Sequence, residues 1–166
     1  MTADYFAVFS LPRNFNLDSA ALEKRYFEAQ RQFHPDRLVG KSPAERQQAI
    51  AQSMLVNEAY QTLKSTLARA RHLLALEGIS PDSIKPSQKL LMEIMESREA
   101  LAEAQDAATI QKLAKQNEEA EEDTVVALAR AFASPDLNAA AELAMRLSYL
   151  VKIGEEIRGR AKFSAA

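Results

Sequence analysis

The segment Gln30-Arg31-Gln32-Phe33-His34-Pro35-Asp36-Arg37-Leu38-Val39-Gly40-Lys41-Ser42-Pro43-Ala44-Glu45 stops one helix and starts another. Pro35 has no amide hydrogen to give and its ring clashes with the preceding turn, so a helix arriving through Gln30 must end before it. Ser42-Pro43-Ala44-Glu45 then carries a start signal: Ser at the N-cap, Pro at the first helical position, and Glu placed to reach back to the cap amide. The polar residues between, broken by Pro and Gly, predict an exposed loop carrying a histidine and an aspartate.

Upstream, Asp18 is a plausible N-cap, and Leu22, Tyr26, Ala29 and Phe33 recur at helical spacing, which predicts an amphipathic helix over roughly 18–33. Downstream, Ala49, Ser53, Val56, Tyr60 and Leu63 give a matching stripe, so the two helices form a hairpin. The helical pattern continues from Leu67 to Leu76 and stops at Gly78, with Pro81 beyond. The opening Asp4-Tyr5-Phe6-Ala7-Val8-Phe9 is expected to make two helical turns at most and to be a minor packing element. Gly, Pro and Ser cluster from 78 onward and mark a boundary, with 78–86 as a linker. Three further helices are predicted at about 87–105, 107–133 and 136–160. Stripes such as Leu90, Ile94, Ser97, Leu101 and Leu143, Leu147, Leu150, Ile157 suit an antiparallel three-helix bundle. The fold class is therefore all-α.

The composition agrees. The chain has 166 residues, 47% of them hydrophobic and 27% charged, with Ala, Glu, Leu, Lys, Arg and Gln dominant, the preferences of a compact helical protein. The absence of cysteine excludes a disulfide framework, a thiol nucleophile and a thiolate metal site. His34 and His72 lie in different segments, so no histidine-rich metal site is expected and none is assigned. No run approaches the ~18 apolar residues of a membrane span, and no presequence pattern opens the chain, so a cytoplasmic location is expected. Gly40-Lys41-Ser42 lacks the upstream glycine of a phosphate-binding loop, and no serine, lysine or second carboxylate is arranged for hydrolysis. No catalytic residue and no cofactor are predicted. Net charge is only −2, without a basic stripe interleaved with aromatics, which argues against nucleic acid as a partner. Residues 1–78 hold ten basic and eight acidic side chains, residues 79–166 eleven and fifteen, which hints at two modules with different partners.

His34-Pro35-Asp36, preceded by Gln30-Arg31-Gln32-Phe33 and followed by Asn57-Glu58-Ala59-Tyr60-Gln61-Thr62-Leu63, resembles a J-domain, the module by which co-chaperones engage heat-shock-70-class ATPases. Asp4-Tyr5-Phe6 matches that family's first helix. The resemblance implies that His34, Pro35 and Asp36 contact the partner ATPase and promote its ATP hydrolysis, assisted by Lys24, Arg25 and Arg31 on the preceding helix and by Arg37. Lys24 and Arg31, seven apart, share a face and suit an acidic partner surface. Many J-domains carry consecutive basic residues in mid-helix where this chain has Phe27-Glu28, a departure that favours a dedicated chaperone.

Leu67-Ala68-Arg69-Ala70-Arg71-His72-Leu73-Leu74, with Leu91-Met92-Glu93, Glu96 and Arg98-Glu99, resembles the HscB family, J-type co-chaperones of iron-sulfur cluster assembly, and this likeness covers nearly the whole chain. It implies an L-shaped, monomeric, non-enzymatic protein. A J-domain at 1–77 would engage an HscA-type chaperone, and a bundle at 87–166 would hold an IscU-type cluster scaffold. If Leu90, Ile94 and Leu101 face the bundle, Leu91 and Met95 form an offset apolar strip, accompanied by Met92 and rimmed by Glu96, Glu99 and Glu103. HscB proteins use matching positions for the scaffold. Tyr149 stands where several of them carry Phe and is expected to add an aromatic anchor. His72 is read as a structural residue, and Glu118 to Asp123 as a solvated helix face. The alternative is a J-type co-chaperone with a different client.

Overall fold

The computed structural model describes residues 3–32, 40, 42–80, 83–134 and 136–164, with side chains as far as 161. The chain divides into two compact units, Met1–Glu77 and Gly78–Ala166. Among the described residues every regular element is helical.

The first unit holds α1 (Tyr5–Val8), α2 (Ser19–Gln32), α3 (Pro43–Lys64) and α4 (Thr66–Leu76), with α3 packed against the other three. Asp18 caps α2, its Oδ1 accepting from the amides of Ala20 at 2.9 Å and Ala21 at 3.1 Å. Ser42 and Glu45 close the expected capping box on α3, with the Ser42 amide donating to Glu45 Oε2 at 2.8 Å and the Glu45 amide to Ser42 Oγ at 3.3 Å. Ala49, Val56, Tyr60 and Leu63 are buried, as the stripe requires. Gly78 takes φ +75° just past the α4 C-cap, a left-handed conformation that costs glycine little.

Two expectations change. The helical pattern from Leu67 is a separate helix, because Ser65 is extended (φ −77°, ψ 123°) and serves both as the C-cap of α3 and as the N-cap of α4. Its Oγ accepts from the Ala68 amide at 3.3 Å. Arg69 holds this corner, its guanidinium donating to the Leu63 carbonyl at 2.6 Å and the Phe15 carbonyl at 2.9 Å. Nor is α1 a minor element. Although it is one turn long, Phe6 and Phe9 are buried, and the Tyr5 hydroxyl donates to Glu58 on α3 at 2.7 Å. Periodicity cannot weigh so short a segment, whereas two phenyl rings in a small core contribute heavily to it.

The second unit holds α5 (Gln88–Glu103), α6 (Ala107–Ala133) and α7 (Leu137–Ser164), capped by Ser87, Asp106 and Asp136. Helices α6 and α7 pair along most of their length, and the fully buried Ala140, Ala141 and Ala144 let their axes approach. Asn117 and Thr124 on α6 bond Leu150 and Arg146 on α7, so these two run antiparallel. Glu93 and Leu101 on α5 meet Arg146 and Arg160 on α7, so these two run parallel, the up-down-up order of a three-helix bundle. Leu90 and Leu101 are buried, and Leu101 joins Ile110, Ile153 and Ile157 in the core.

Candidate functional site

The sequence points to two sites, one in each unit. In the first unit, a braced hairpin precedes and follows the predicted loop. Tyr26 stacks on Tyr60 with ring centroids 4.0 Å apart, and its hydroxyl donates to Asn57 Oδ1 at 3.0 Å. The Gln30 amide reaches the same oxygen at 2.6 Å. Because these contacts tie α2 to α3, little conformational freedom is left in the seam next to the loop. His34, Pro35, Asp36 and Arg37 lie outside the described residues. Lys24, Arg25 and Arg31 are all exposed on α2. Arg25 bonds Glu28 at 3.3 Å, so that pair largely neutralises itself, while Lys24 and Arg31 have no acidic partner among the described residues.

His72, the other histidine, is buried inside this unit. Its Nε2 accepts the Tyr5 amide at 3.2 Å and its ring stacks on Tyr5 at 4.4 Å. Burial pushes its pKa below the ordinary value, with Arg13 adding to the fall and Asp4 opposing it. An acceptor with a depressed pKa in a stack of aromatic rings is a packing residue, as expected.

In the second unit, α5 turns Leu90 and Leu101 inward and leaves Leu91, Met92 and Met95 exposed at 45%, 55% and 70%. Glu96, Glu99 and Glu103 are exposed as well. Helical spacing divides these residues into two lines. Leu91, Met95 and Glu99 run along the outermost face, while Met92, Glu96 and Glu103 run beside it. Met92 and Glu96 also line an open groove of about 1000 Å³, whose far wall is Ala139, Glu142, Leu143 and Arg146 of α7. Tyr149 is half-buried on α7 and is not part of that wall.

The sequence reading missed Arg146. Its Nε bonds both carboxylate oxygens of Glu93, at 2.9 and 3.0 Å, and its Nη1 donates to Thr124 Oγ1 at 2.5 Å. Thr124 is fully buried and donates in turn to the Ala120 carbonyl at 2.6 Å. This network joins all three helices and fixes the rotation of α5, and thus which of its residues face outward. The one available signal was a cation inside an otherwise apolar α7 stripe. Among the described residues there is no group of three or more His, Asp or Glu side chains able to hold a metal, and no helix is long and apolar enough to cross a membrane.

Residues 86–158 match a family described as the HSCB C-terminal oligomerisation domain. The co-chaperone protein HscB homolog of Shewanella loihica is 35% identical over 164 residues, an alignment covering 93% of this chain and 95% of that one. The chain belongs to the HscB family of co-chaperones. Another HscB relative, the iron-sulfur cluster co-chaperone protein HscB homolog of Arabidopsis thaliana, is 34% identical over 158 residues, covering 94% of this chain. This chain spans only 63% of that relative's length. The crystal structure of human co-chaperone protein HscB superposes with a TM-score of 0.89 at 33% identity, covering 96% of this chain and 82% of the human one. The HscB family, identified from residues in both units, thus extends across the chain.

Proposed function

We propose that this protein is a J-type co-chaperone of iron-sulfur cluster assembly, which binds an IscU-type scaffold, delivers it to an HscA-type heat-shock-70-class chaperone and stimulates that chaperone's ATPase. Residues 1–77 act as the J-domain, residues 78–86 as the linker and residues 87–166 as the client-binding bundle. His34, Pro35 and Asp36 engage the chaperone, with Lys24, Arg25, Arg31 and Arg37 attracting an acidic surface. Leu91, Met92, Met95, Glu96, Glu99 and Glu103 hold the scaffold, with Tyr149 beside them. The protein itself turns over nothing; it regulates a partner's catalysis.

The observation that carries this reading is the exposed patch of Leu91, Met92 and Met95 on a bundle of the HscB family. Three large apolar side chains at solvent on one helix cost solubility and repay it only when covered, and methionine adapts its shape to a partner. Chaperone ATPase turnover, measured with and without this protein and its His34→Gln variant, tests the first unit. Stimulation by the wild type and its loss in the variant is expected, and equal stimulation rejects the loop's role. Titration of the scaffold against Leu91→Ala combined with Met95→Ala tests the second. A loss of about tenfold or more in affinity is expected for two central apolar contacts, and unchanged affinity removes the strip.

A further inference from the structure

The open groove of about 1000 Å³ between α5 and α7 is as large as a site for a sizeable ligand or a few partner side chains. Its two walls share one spacing. Lys89, Met92, Glu93 and Glu96 stand at i, i+3, i+4 and i+7 on α5, and Ala139, Glu142, Leu143 and Arg146 repeat those steps on α7, so each helix turns one face into the groove. Met92 and Glu96 belong both to the groove and to the surface assigned to the scaffold. The groove therefore continues that surface from α5 onto α7.

The charges along it do not cancel. Glu93 and Arg146 are taken up by each other, and Arg146 also by Thr124. Glu142 is half-buried, and among the described residues its side chain has neither a hydrogen bond nor an ion pair. Glu96, exposed on the opposite wall, has no cationic partner either, and Lys89 is exposed and beyond ion-pair distance of both. A carboxylate drawn partly out of water without a partner is a standing cost, which a docking cation relieves. Leu143, half-buried beside it, and the exposed Met92 supply apolar surface for the stem of such a cation or for its neighbour. An acidic segment is repelled here, and a purely apolar one would desolvate Glu142 further and leave it unpaired.

We propose that Glu142 and Leu143 extend the scaffold site onto α7, and that the groove takes a lysine or arginine side chain of the scaffold together with an apolar side chain next to it. This inference rests on the reading of the bundle as the scaffold-binding unit. The strip on α5 supplies apolar contact area, while Glu142 discriminates among clients: one that presents a cation at this point is held, and one that presents a carboxylate is rejected.

The test is a calorimetric titration of an IscU-type scaffold against the wild type, Glu142→Gln, Glu142→Lys, Leu143→Ala and the double variant Leu91→Ala with Met95→Ala. Gln copies the shape of Glu and removes only a charge that the fold leaves unpaired, so Glu142→Gln is expected to unfold no earlier than the wild type. The scaffold should bind Glu142→Gln about tenfold more weakly, and Glu142→Lys more weakly still. Leu143→Ala should weaken binding about threefold or more. The gap between the wild type and Glu142→Gln should narrow as salt rises. Wild-type affinity in Glu142→Gln and Glu142→Lys, with the double variant weakened, overturns the groove and leaves the strip on α5 standing. A loss in Glu142→Gln that salt does not move overturns the pairing with a cation. Wild-type scaffold affinity in both Glu142 variants, together with self-association of the wild type that Glu142→Lys abolishes, assigns the groove to a second copy and overturns the proposal as well. A scaffold that fails to bind the wild type at all sinks the client reading itself, and the groove with it.

Discussion

His72 shows how one buried side chain makes stability depend on pH. Its pKa is depressed in the folded chain, so the unfolded chain binds a proton more readily. The stabilisation is fully present above the ordinary value of 6.5 and is lost as pH falls from there through the folded pKa. Denaturant unfolding at pH 7.5 and 5.5 reads this directly. His72→Phe keeps the aromatic stack but loses the Tyr5 amide's acceptor. It should be weaker by about 1 kcal/mol at pH 7.5 and should lose less stability than the wild type on acidification. Equal losses would exclude His72 as the titrating group. Two glycines of α7 make a second comparison. A Cβ on Gly154 would come within 2.9 Å of Asn117 Nδ2 and 3.1 Å of Glu121 Oε1, whereas one on Gly159 meets nothing within 4 Å. Asn117 has little room to yield, since it is buried and bonded to the Leu150 carbonyl at 3.1 Å. Gly154→Val is expected to destabilise by about 1–3 kcal/mol, and Gly159→Ala to stabilise by about 0.5–1 kcal/mol through helix preference alone. Calorimetric midpoints moving in the same direction would refute this contrast.

Among the elements, α5 depends most on a polar anchor. Helices α6 and α7 share a long seam of small and branched side chains, while α5 adds Leu90, Leu101 and the Arg146 fork on Glu93. Both partners of that fork are about one-third exposed, so water screens part of the attraction. Arg146→Met retains the apolar stem and removes the four hydrogen bonds of the guanidinium, three to Glu93 and one to Thr124. A loss of about 1–2 kcal/mol is expected, together with faster hydrogen exchange in α5 than in α6. Exchange unchanged along α5 would show that its apolar face alone holds it. Much at this scale was legible in advance, because caps and breaks are local chemistry: Asp18, the Ser42–Glu45 box and Gly78 fall where the residues announce them. The break at Ser65 was not legible. Ser65 lies within an unbroken helical pattern, and what holds the corner is Arg69 reaching the carbonyls of Phe15 and Leu63, one of them 54 positions away in the chain.

For the whole molecule, two units with separate cores and opposite charge balances suit two separable tasks. Leu91→Ala with Met95→Ala should therefore leave stimulation of the chaperone intact in the absence of scaffold, while His34→Gln leaves scaffold affinity intact. Parallel ATPase and binding titrations check this, and cross-effects of more than about threefold in either direction, beyond the ordinary scatter of independent sites, would show that the tasks are coupled. The sequence by itself determined the helical class, the helix starts and stops other than the break at Ser65, the boundary near Gly78 and the family, because periodicity, caps and short motifs depend on residues within a few turns of one another. It also indicated that Leu91 and Met95 lie off the buried stripe of α5. Tertiary structure alone decided that a one-turn helix lends Phe6 and Phe9 to a core, that Arg146 locks α5 by Glu93 and Thr124, and that Met92 and Glu96 share a groove with Glu142 and Leu143. Each of these joins side chains far apart in the chain, and such distances are set only when packing fixes how one helix is rotated against the next.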